Sequence, residues 1–459
     1  MILTKGDYQM KPNTMKKLFI IFLSAVIVVI SGCSQRRDYG TQFNPETDCQ
    51  YSYYGSVTSW NKIQSDSGGH YLLHNDYIYY YSNHTGKLTP LCNKPNCLHD
   101  METDSERKQE CNAYAPMENN SDDLHIQYYD GYIYYFLTDN QSSHLYRVSK
   151  DGQKRDKIMT VDDTLRVNSW LIHRGWLYYS VQSSFYGEKY DTQIYTKFML
   201  KALEISSHMN EKNGEVIYET GEKYNAVSLN KIKAYKNYVC YSVLAAPKSF
   251  DETDTAAWMR SVYAPVFIYN TDNKQNCEIP VPTGNGNYTT VGDVTFLQDR
   301  LLVKLYNNLS DVEGDTLNGL NKVPIYSMNY DLTDVKVWLD GVEQGKLMQS
   351  SGDYVIISDA FLQLLPDIYS VIVSGSDLTL DDILKQKTNV DIYSADGKRI
   401  SRFVYPMNNK GNFNGFGPDG VNVEFQDNDN GTWSIYELNL NDVLHCQGEE
   451  VRLTRVSTR

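Results

Sequence analysis

The sequence predicts an all-β protein, a β-propeller of seven blades in which each blade is a four-stranded antiparallel sheet. A two-hairpin phrase recurs along the chain, its turns carry hairpin residues, and the aromatic content is dominated by tyrosine, with 38 Tyr against 14 Phe and 6 Trp. Tyrosine at that level suits paired strands and aromatic surfaces that stay hydrated.

The phrase is clearest at Tyr128-Tyr129-Asp130-Gly131-Tyr132-Ile133-Tyr134-Tyr135-Phe136. Asp130-Gly131 is a hairpin dipeptide, because glycine supplies the positive φ of a two-residue turn. A second apolar run, Leu145-Tyr146-Arg147-Val148, is turned back by Asp151-Gly152. First hairpins of the same kind read at Leu72–Tyr80, Leu171–Tyr179, Ile232–Tyr241, Phe296–Val303, Ser350–Ile357 and Phe416–Val423. Second hairpins are marked by Ile268-Tyr269, Ile325-Tyr326, Ile392-Tyr393 and Ile435-Tyr436. The spacing is longer and less regular than the ~40–50 residues of common blade repeats. Drift in the later units brackets the count at six to eight, with seven the number read directly. One such unit cannot bury both faces, so units stack around an axis. A pair of β-sandwiches also gives many short strands but has no reason to repeat one phrase.

Two irregularities stand out. The first unit reads as defective, with a cysteine-rich loop in place of its fourth strand, and Tyr51–Val57 reads as a spare strand that would complete a blade. Extra length falls between first and second hairpins, at 182–197, 244–265, 306–324 and 358–389. In an up-and-down blade those connections open on one face of the disc. Short helices are expected at Glu252–Arg260 and Leu378–Gln386. Phe185, Tyr186, Tyr190, Trp258 and Phe361 are the aromatic candidates for ligand binding on that face.

The N-terminus reads as an export signal. Met15-Lys16-Lys17 is basic, Leu18–Ile30 is apolar, and Ile30-Ser31-Gly32-Cys33 closes the segment. Such a run is short for a bilayer span and suits a signal peptide. The last four residues resemble the bacterial lipobox, which implies lipidation of Cys33. Residues 1–32 are then an upstream extension and signal peptide, 33–50 the lipidated cysteine and a polar tether, and 51–459 the propeller. The expected location is the cell membrane, lipid-anchored on its extracytoplasmic face. A net charge of −14 argues against nucleic acid as a partner.

Chemistry concentrates in one place. Cys92, Cys97, His99 and Cys111 put three thiols and an imidazole within twenty residues. They could close a tetrahedral zinc site. Outside the membrane a disulfide among Cys92, Cys97 and Cys111 is the standing alternative, and free thiols are a third. Cys49 is a candidate fourth partner, whereas Cys240 reads as a core residue within a strand. No zinc-protease, nucleophile-elbow, phosphate-loop or dinucleotide motif is present, and no cofactor other than zinc is suggested. His74 and His173 share a hairpin position, which the repeat itself explains.

A lipobox joined to D-G-Y-I-Y-Y and L-Y-R-V-x-x-D-G phrases resembles a group of Firmicutes-type bacterial surface lipoproteins built on Tyr-rich propeller repeats. More distantly the units look like those of TolB-type periplasmic propellers. The resemblance implies the propeller fold and the binding of protein or peptide partners, and it carries no activity. The function expected is a binding module for a glycan, peptide or protein ligand. The alternatives are a propeller enzyme acting on polysaccharide, which needs two converging carboxylates, and a structural subunit of an envelope complex.

Overall fold

A computed structural model describes residues 38–50, 63–116, 125–138, 142–186, 194–221, 224–247, 264–282, 288–307, 322–343, 346–359, 388–406, 413, 415–427 and 431–459. The compact unit that begins at Phe43 is a seven-bladed β-propeller.

Blade 1 is Ile63–Asp66, Gly69–His74, Tyr77–Ser82 and Lys87–Pro90. Blade 2 is Gln127–Tyr129, Tyr132–Thr138, Ser143–Ser149 and Arg155–Thr160. Blade 3 is Leu165–His173, Trp176–Tyr186, Ile194–Glu204 and Glu215–Glu219. Blade 4 is Tyr224–Tyr235, Tyr238–Pro247, Val266–Asn270 and Asn276–Glu278. Blade 5 is Tyr288–Leu297, Arg300–Asn307, Lys322–Asn329 and Lys336–Glu343. Blade 6 is Leu347–Ser351, Tyr354–Ser358, Thr388–Ser394 and Arg399–Tyr405, with Gln447–Glu450 added in parallel at its outer edge. Blade 7 contributes Val421–Asp427, Trp433–Asn439 and Thr454–Thr458 among the described residues.

The hairpin chemistry explains the tight turns. Asp130 and Gly131 have φ of 47° and 80°, and Arg174 and Gly175 have 49° and 84°. Both central residues are left-handed, as a primed turn requires.

Blade 1 corrects the sequence reading. It has all four strands, and the cysteine loop follows the fourth instead of replacing it. Gln64 Oε1 accepts the Tyr128 N–H at 3.2 Å, just as Gln127 Oε1 accepts the Ile172 N–H at 2.6 Å. Ile63–Asp66 therefore takes the innermost place in blade 1 that Gln127–Tyr129 takes in blade 2. The Asn75-Asp76 turn accordingly joins the second and third strands, not the first and second. A four-residue polar strand, Ile-Gln-Ser-Asp, carries too little apolar pattern to be read as one. Tyr51–Val57 lies outside the described residues.

Apolar cores sit between blades rather than within them. One cluster joins blades 7, 1 and 2 through Trp433, Tyr79 and Tyr135, and further clusters lie at each later junction. Tyr71, Tyr79, Tyr134, Tyr135, Tyr179, Tyr241 and Tyr405 are fully buried there. The tyrosines expected on hydrated surfaces thus form much of the interior. Burial pushes their phenols up, Tyr134 to about 12.

Residues 44–50, expected within a polar tether, are docked across the turns of the first three blades. Glu46 O accepts the Asp130 N–H at 2.7 Å, and Thr47 O accepts the Arg174 N–H at 2.8 Å. Gln50 Oε1 accepts the Ser65 N–H at 2.8 Å. Asp48 forms a buried pair with Arg174, with Oδ1 2.8 Å from Nε and Oδ2 3.1 Å from Nη2. The Cys49 N–H donates to His173 Nδ1 at 3.0 Å, so the ring carries its proton on Nε2, 2.7 Å from Lys236 O.

The expected inserts are partly strand. Pairing in blade 3 runs out to Tyr186↔Ile194, in blade 4 to Tyr224↔Pro247, and in blade 5 to Tyr288↔Asn307. What remains of them, at 187–193, 248–263, 308–321 and 360–387, lies outside the described residues, as do both expected helices. Among the described residues no helix is long and apolar enough to cross a membrane.

Candidate metal centre

The cysteine loop begins where the outer strand of blade 1 runs out. Leu91 N–H still donates to Ile78 O at 2.8 Å, and the chain then turns away at Cys92. Cys97 closes a turn in which its N–H reaches Lys94 O at 3.4 Å, with Asn96 left-handed at φ 62°. His99 opens a short 3₁₀ turn, His99–Met101, from a left-handed φ of 55°. A one-and-a-half-turn helix, Ser105–Glu110, is capped by Asp104, whose Oδ1 accepts the N–H groups of Glu106 at 2.9 Å and Arg107 at 3.0 Å. Cys111 follows directly. The chain then rejoins blade 1, where Ala113 O accepts the Ile78 N–H at 2.8 Å and the Ala115 N–H reaches Asp76 O at 2.7 Å.

This path brings all four predicted residues together. One ligand atom from each of Cys92, Cys97, His99 and Cys111 lies within 4.8 Å of the other three, and Cys111 Sγ is 3.7 Å from His99 Nδ1. The three thiols are free, Cys111 is buried, and the other three residues are half-buried. Donors about 2.0–2.3 Å from a tetrahedral ion stand roughly 3.3–3.8 Å apart, so the set is slightly open and matches a four-coordinate site. These residues could bind a metal. The Cys111 thiol, the N–H groups of Lys94 and Asn112, and the Cys97 thiol all point at the Cys92 sulfur; they outweigh burial and bring it down to about 4. Cys111 is pushed up by its hydrogen bond with Cys92, by burial and by the charge there.

Blade 2 holds the loop through residues that the sequence reading did not single out. Arg155 Nη1 donates to Cys111 O and Tyr114 O, both at 2.9 Å, and Nη2 donates to Gln109 O at 2.9 Å. Gly152 O accepts from Asn112 Nδ2 at 2.8 Å and from the Asn93 N–H at 3.0 Å. A Cβ on Gly152, at φ 69°, would sit 2.8 Å from Cys92 N. The turn signal of Asp151-Gly152 was visible in the sequence; its use as a seat for the loop was not. On the other side of the loop, Asp100 accepts from Arg459 Nε and Nη2, both at 2.7 Å, and from the Tyr79 hydroxyl at 3.1 Å.

The remaining candidates separate. Cys49 is buried beside His173 and Leu171, in the core between blades 3 and 4, and is not a member of the thiol cluster. Cys240 is fully buried in a strand, as expected, and its thiol is pushed up by burial. His74 and His173 do not share a position: His74 ends the second strand of blade 1, and His173 ends the first strand of blade 3. Phe185 and Tyr186 lie on the second strand of blade 3 rather than in a loop. Cys33, Tyr190, Trp258 and Phe361 lie outside the described residues. Asp162 and Asp163 border a cleft of about 250 Å³ between blades 2 and 3. Asp162 caps its own turn, accepting from Thr164 N–H at 3.0 Å and Thr164 Oγ1 at 2.8 Å.

Fold and site together define a seven-bladed propeller with a four-residue cysteine–histidine cluster able to hold a metal ion. No family model and no curated relative matches the chain. Among solved structures it is similar to a prolyl endopeptidase, at 9% identity and a TM-score of 0.48, over 90% of this chain and 51% of that one. The chain therefore spans about half the length of that enzyme. An oligogalacturonate lyase from Vibrio parahaemolyticus matches at 11% identity and a TM-score of 0.45, over 86% and 92% of the two chains. TolB from Acinetobacter baumannii matches at 11% identity and a TM-score of 0.31, over 83% and 76%.

Proposed function

We propose that the protein is a lipid-anchored, extracytoplasmic binding module that presents one face of a rigid disc to a glycan, peptide or protein ligand. The observation that carries this reading is the asymmetry of the connections. On one face the first-to-second-strand turns are short, as at Asp130-Gly131 and Arg174-Gly175, and residues 44–50 are bonded across them. At the opposite ends of the strands, the second strands of blades 3 to 6 stop at Tyr186, Pro247, Asn307 and Ser358, and the third strands resume only at Ile194, Val266, Lys322 and Thr388. Long connections on a stiff scaffold are where recognition usually resides. In blade 3 the paired strands are eleven residues each and stay in register to Tyr186↔Ile194 at that end. The lipobox at Ile30–Cys33 supports the anchor.

The test is a glycan- and peptide-array screen of the full chain, purified in detergent, alongside metabolic labelling with an alkynyl fatty acid. Saturable retention of one ligand class, together with label that disappears in Cys33→Ala, is the expected result. Turnover of an arrayed glycan or peptide without saturable retention would overturn the binding reading. Unlabelled wild-type protein would overturn the anchor.

A further inference from the structure

We propose that Cys92, Cys97, His99 and Cys111 bind one zinc ion, and that this ion is the clasp that closes the propeller ring between blades 7 and 1. The inference is independent of what the loop-bearing face binds.

The ligand set points to zinc. Three soft thiolates and one imidazole, four in number and mutually within 4.8 Å, suit a closed tetrahedral zinc site. A disulfide between any two of the cysteines would leave the third thiol and the imidazole of a convergent set unused. With three thiolates the zinc site carries a net charge of −1. Two cations stand close by: Arg155, bonded to Cys111 O at 2.9 Å, and Lys94, whose Nζ reaches Glu110 O at 2.5 Å. The loop around the ligands is already held at both ends, by the Ile78–Ala113 bond and by the Gly152 seat.

The ring-closing role follows from what is attached to the ligands. Asp100 is the residue after His99, inside the same 3₁₀ turn, and that turn starts from a left-handed histidine. Such a backbone state is costly unless something over-determines it, and metal ligation at His99 would do so. Asp100 in turn makes the bidentate bond to Arg459. Arg459 is fixed to blade 7 by paired backbone bonds with Trp433, both 2.8 Å. Trp433 lies against blade 1, with its ring 4.4 Å from His74 and 4.9 Å from Tyr79. Zinc, His99, Asp100, Arg459 and Trp433 thus form a continuous path from the loop of blade 1 into the outer strands of blade 7. Among the described residues, no strand from the N-terminal part of the chain lies in the blade 7 sheet.

The experiment uses the full chain equilibrated with zinc and desalted. Elemental analysis should give one zinc per chain, and Cys92, Cys97 and Cys111 should resist a thiol reagent until a chelator is added. Cys97→Ser should lose the ion, whereas His99→Cys should keep it. Hydrogen exchange supplies the ring-closure readout. On chelation the amides of Trp433 and Arg459 should exchange about tenfold faster or more, while those of blades 4 and 5 stay unchanged. Arg459→Met should keep the zinc and show that faster exchange with the metal in place. Zinc-free protein with immediately reactive thiols, or a disulfide among the three cysteines found by mass spectrometry, overturns the metal site. Bound zinc whose removal leaves Trp433 and Arg459 exchange unchanged overturns the clasp.

Discussion

Replacing Asp48 with alanine tests whether residues 44–50 are part of the folded ring or a tether beside it. Asp48 and Arg174 are 3% and 7% exposed, and the pair is bidentate at 2.8 and 3.1 Å. Removing the carboxylate takes the bidentate anionic partner from a buried guanidinium, whose Nη1 also donates to Asn237 Oδ1 at 2.9 Å. Breaking a buried pair from one side costs about 3–5 kcal/mol. An unfolding entropy of about 2.1 cal/mol/K per residue, over roughly 400 residues, gives ~0.85 kcal/mol/K, so the midpoint should fall by about 4–6 °C. Differential scanning calorimetry of Asp48→Ala, Arg174→Leu and the double variant reads this directly. Arg174→Leu should cost less than Asp48→Ala when made on top of it, because the apolar replacement removes the stranded charge. A tether would give no shift in any of the three. A midpoint within 1 °C of wild type for Asp48→Ala would refute the docking of this segment.

Two further perturbations follow from the same contacts. Gly152→Ala adds a Cβ 2.8 Å from Cys92 N as well as a left-handed alanine, whereas a Cβ on Gly131 meets nothing nearer than Lys150 Cδ at 4.0 Å. Backbone strain of about 1–3 kcal/mol is common to both, so urea midpoints should show Gly152→Ala to be the more damaging, and only that variant should expose Cys92 to a thiol reagent. Equal midpoints would mean that the loop is not seated there. Burial lowers the pKa of His173 below its ordinary value of 6.5, and the ring is held neutral between the Cys49 N–H and Lys236 O. Its contribution is fully present above pH 6.5 and declines as pH falls from there through the folded value, because the unfolded chain takes up a proton that the folded chain refuses. The urea midpoint should therefore drop on acidification with a slope that His173→Gln reduces; an unchanged slope would remove His173 from the account.

The architecture was legible because its signals are local. Asp130-Gly131 and the tyrosines around it specify a hairpin within nine residues, and copies of that hairpin specify a ring. The cluster of Cys92, Cys97, His99 and Cys111 was legible for the same reason, since its members are close in sequence. What could not be read depends on partners far along the chain. Asp100 and Arg459 are separated by almost the whole propeller, and Asp48 and Arg174 by 126 positions. Neither pair has a spacing that marks it. Blade 1 was read out of phase because its inner strand, Ile63–Asp66, is short and polar while the Leu72–Tyr80 hairpin is aromatic. The polar residues serve the axis: Gln64 bonds across to Tyr128, and Ser65 bonds to Gln50.

One joint recurs around the disc, and its variation locates the weak point of the ring. The turn between third and fourth strands leans on the outer strand of the preceding blade. The Gly397 turn meets Trp338, where a Cβ would lie 2.6 Å from Trp338 O and where Trp338 Nε1 donates to Ala395 O at 2.7 Å. Blade 3 meets blade 2 through the Met209 N–H and Ile158 O at 2.8 Å. Blade 7 reaches back to blade 6 more fully, laying Gln447–Glu450 beside Arg399–Tyr405 as a fifth strand. Each of these joints links blades that are consecutive in sequence, so closing it constrains a short loop and costs little entropy. The joint between blades 7 and 1 closes the whole chain and carries the largest such cost. Paired aromatic faces at His74, Tyr79 and Trp433, and the Asp100–Arg459 pair, are concentrated at that junction. A cross-link in the adjoining loop is most effective there, because opening that junction is the step that turns a closed ring into an open stack of sheets.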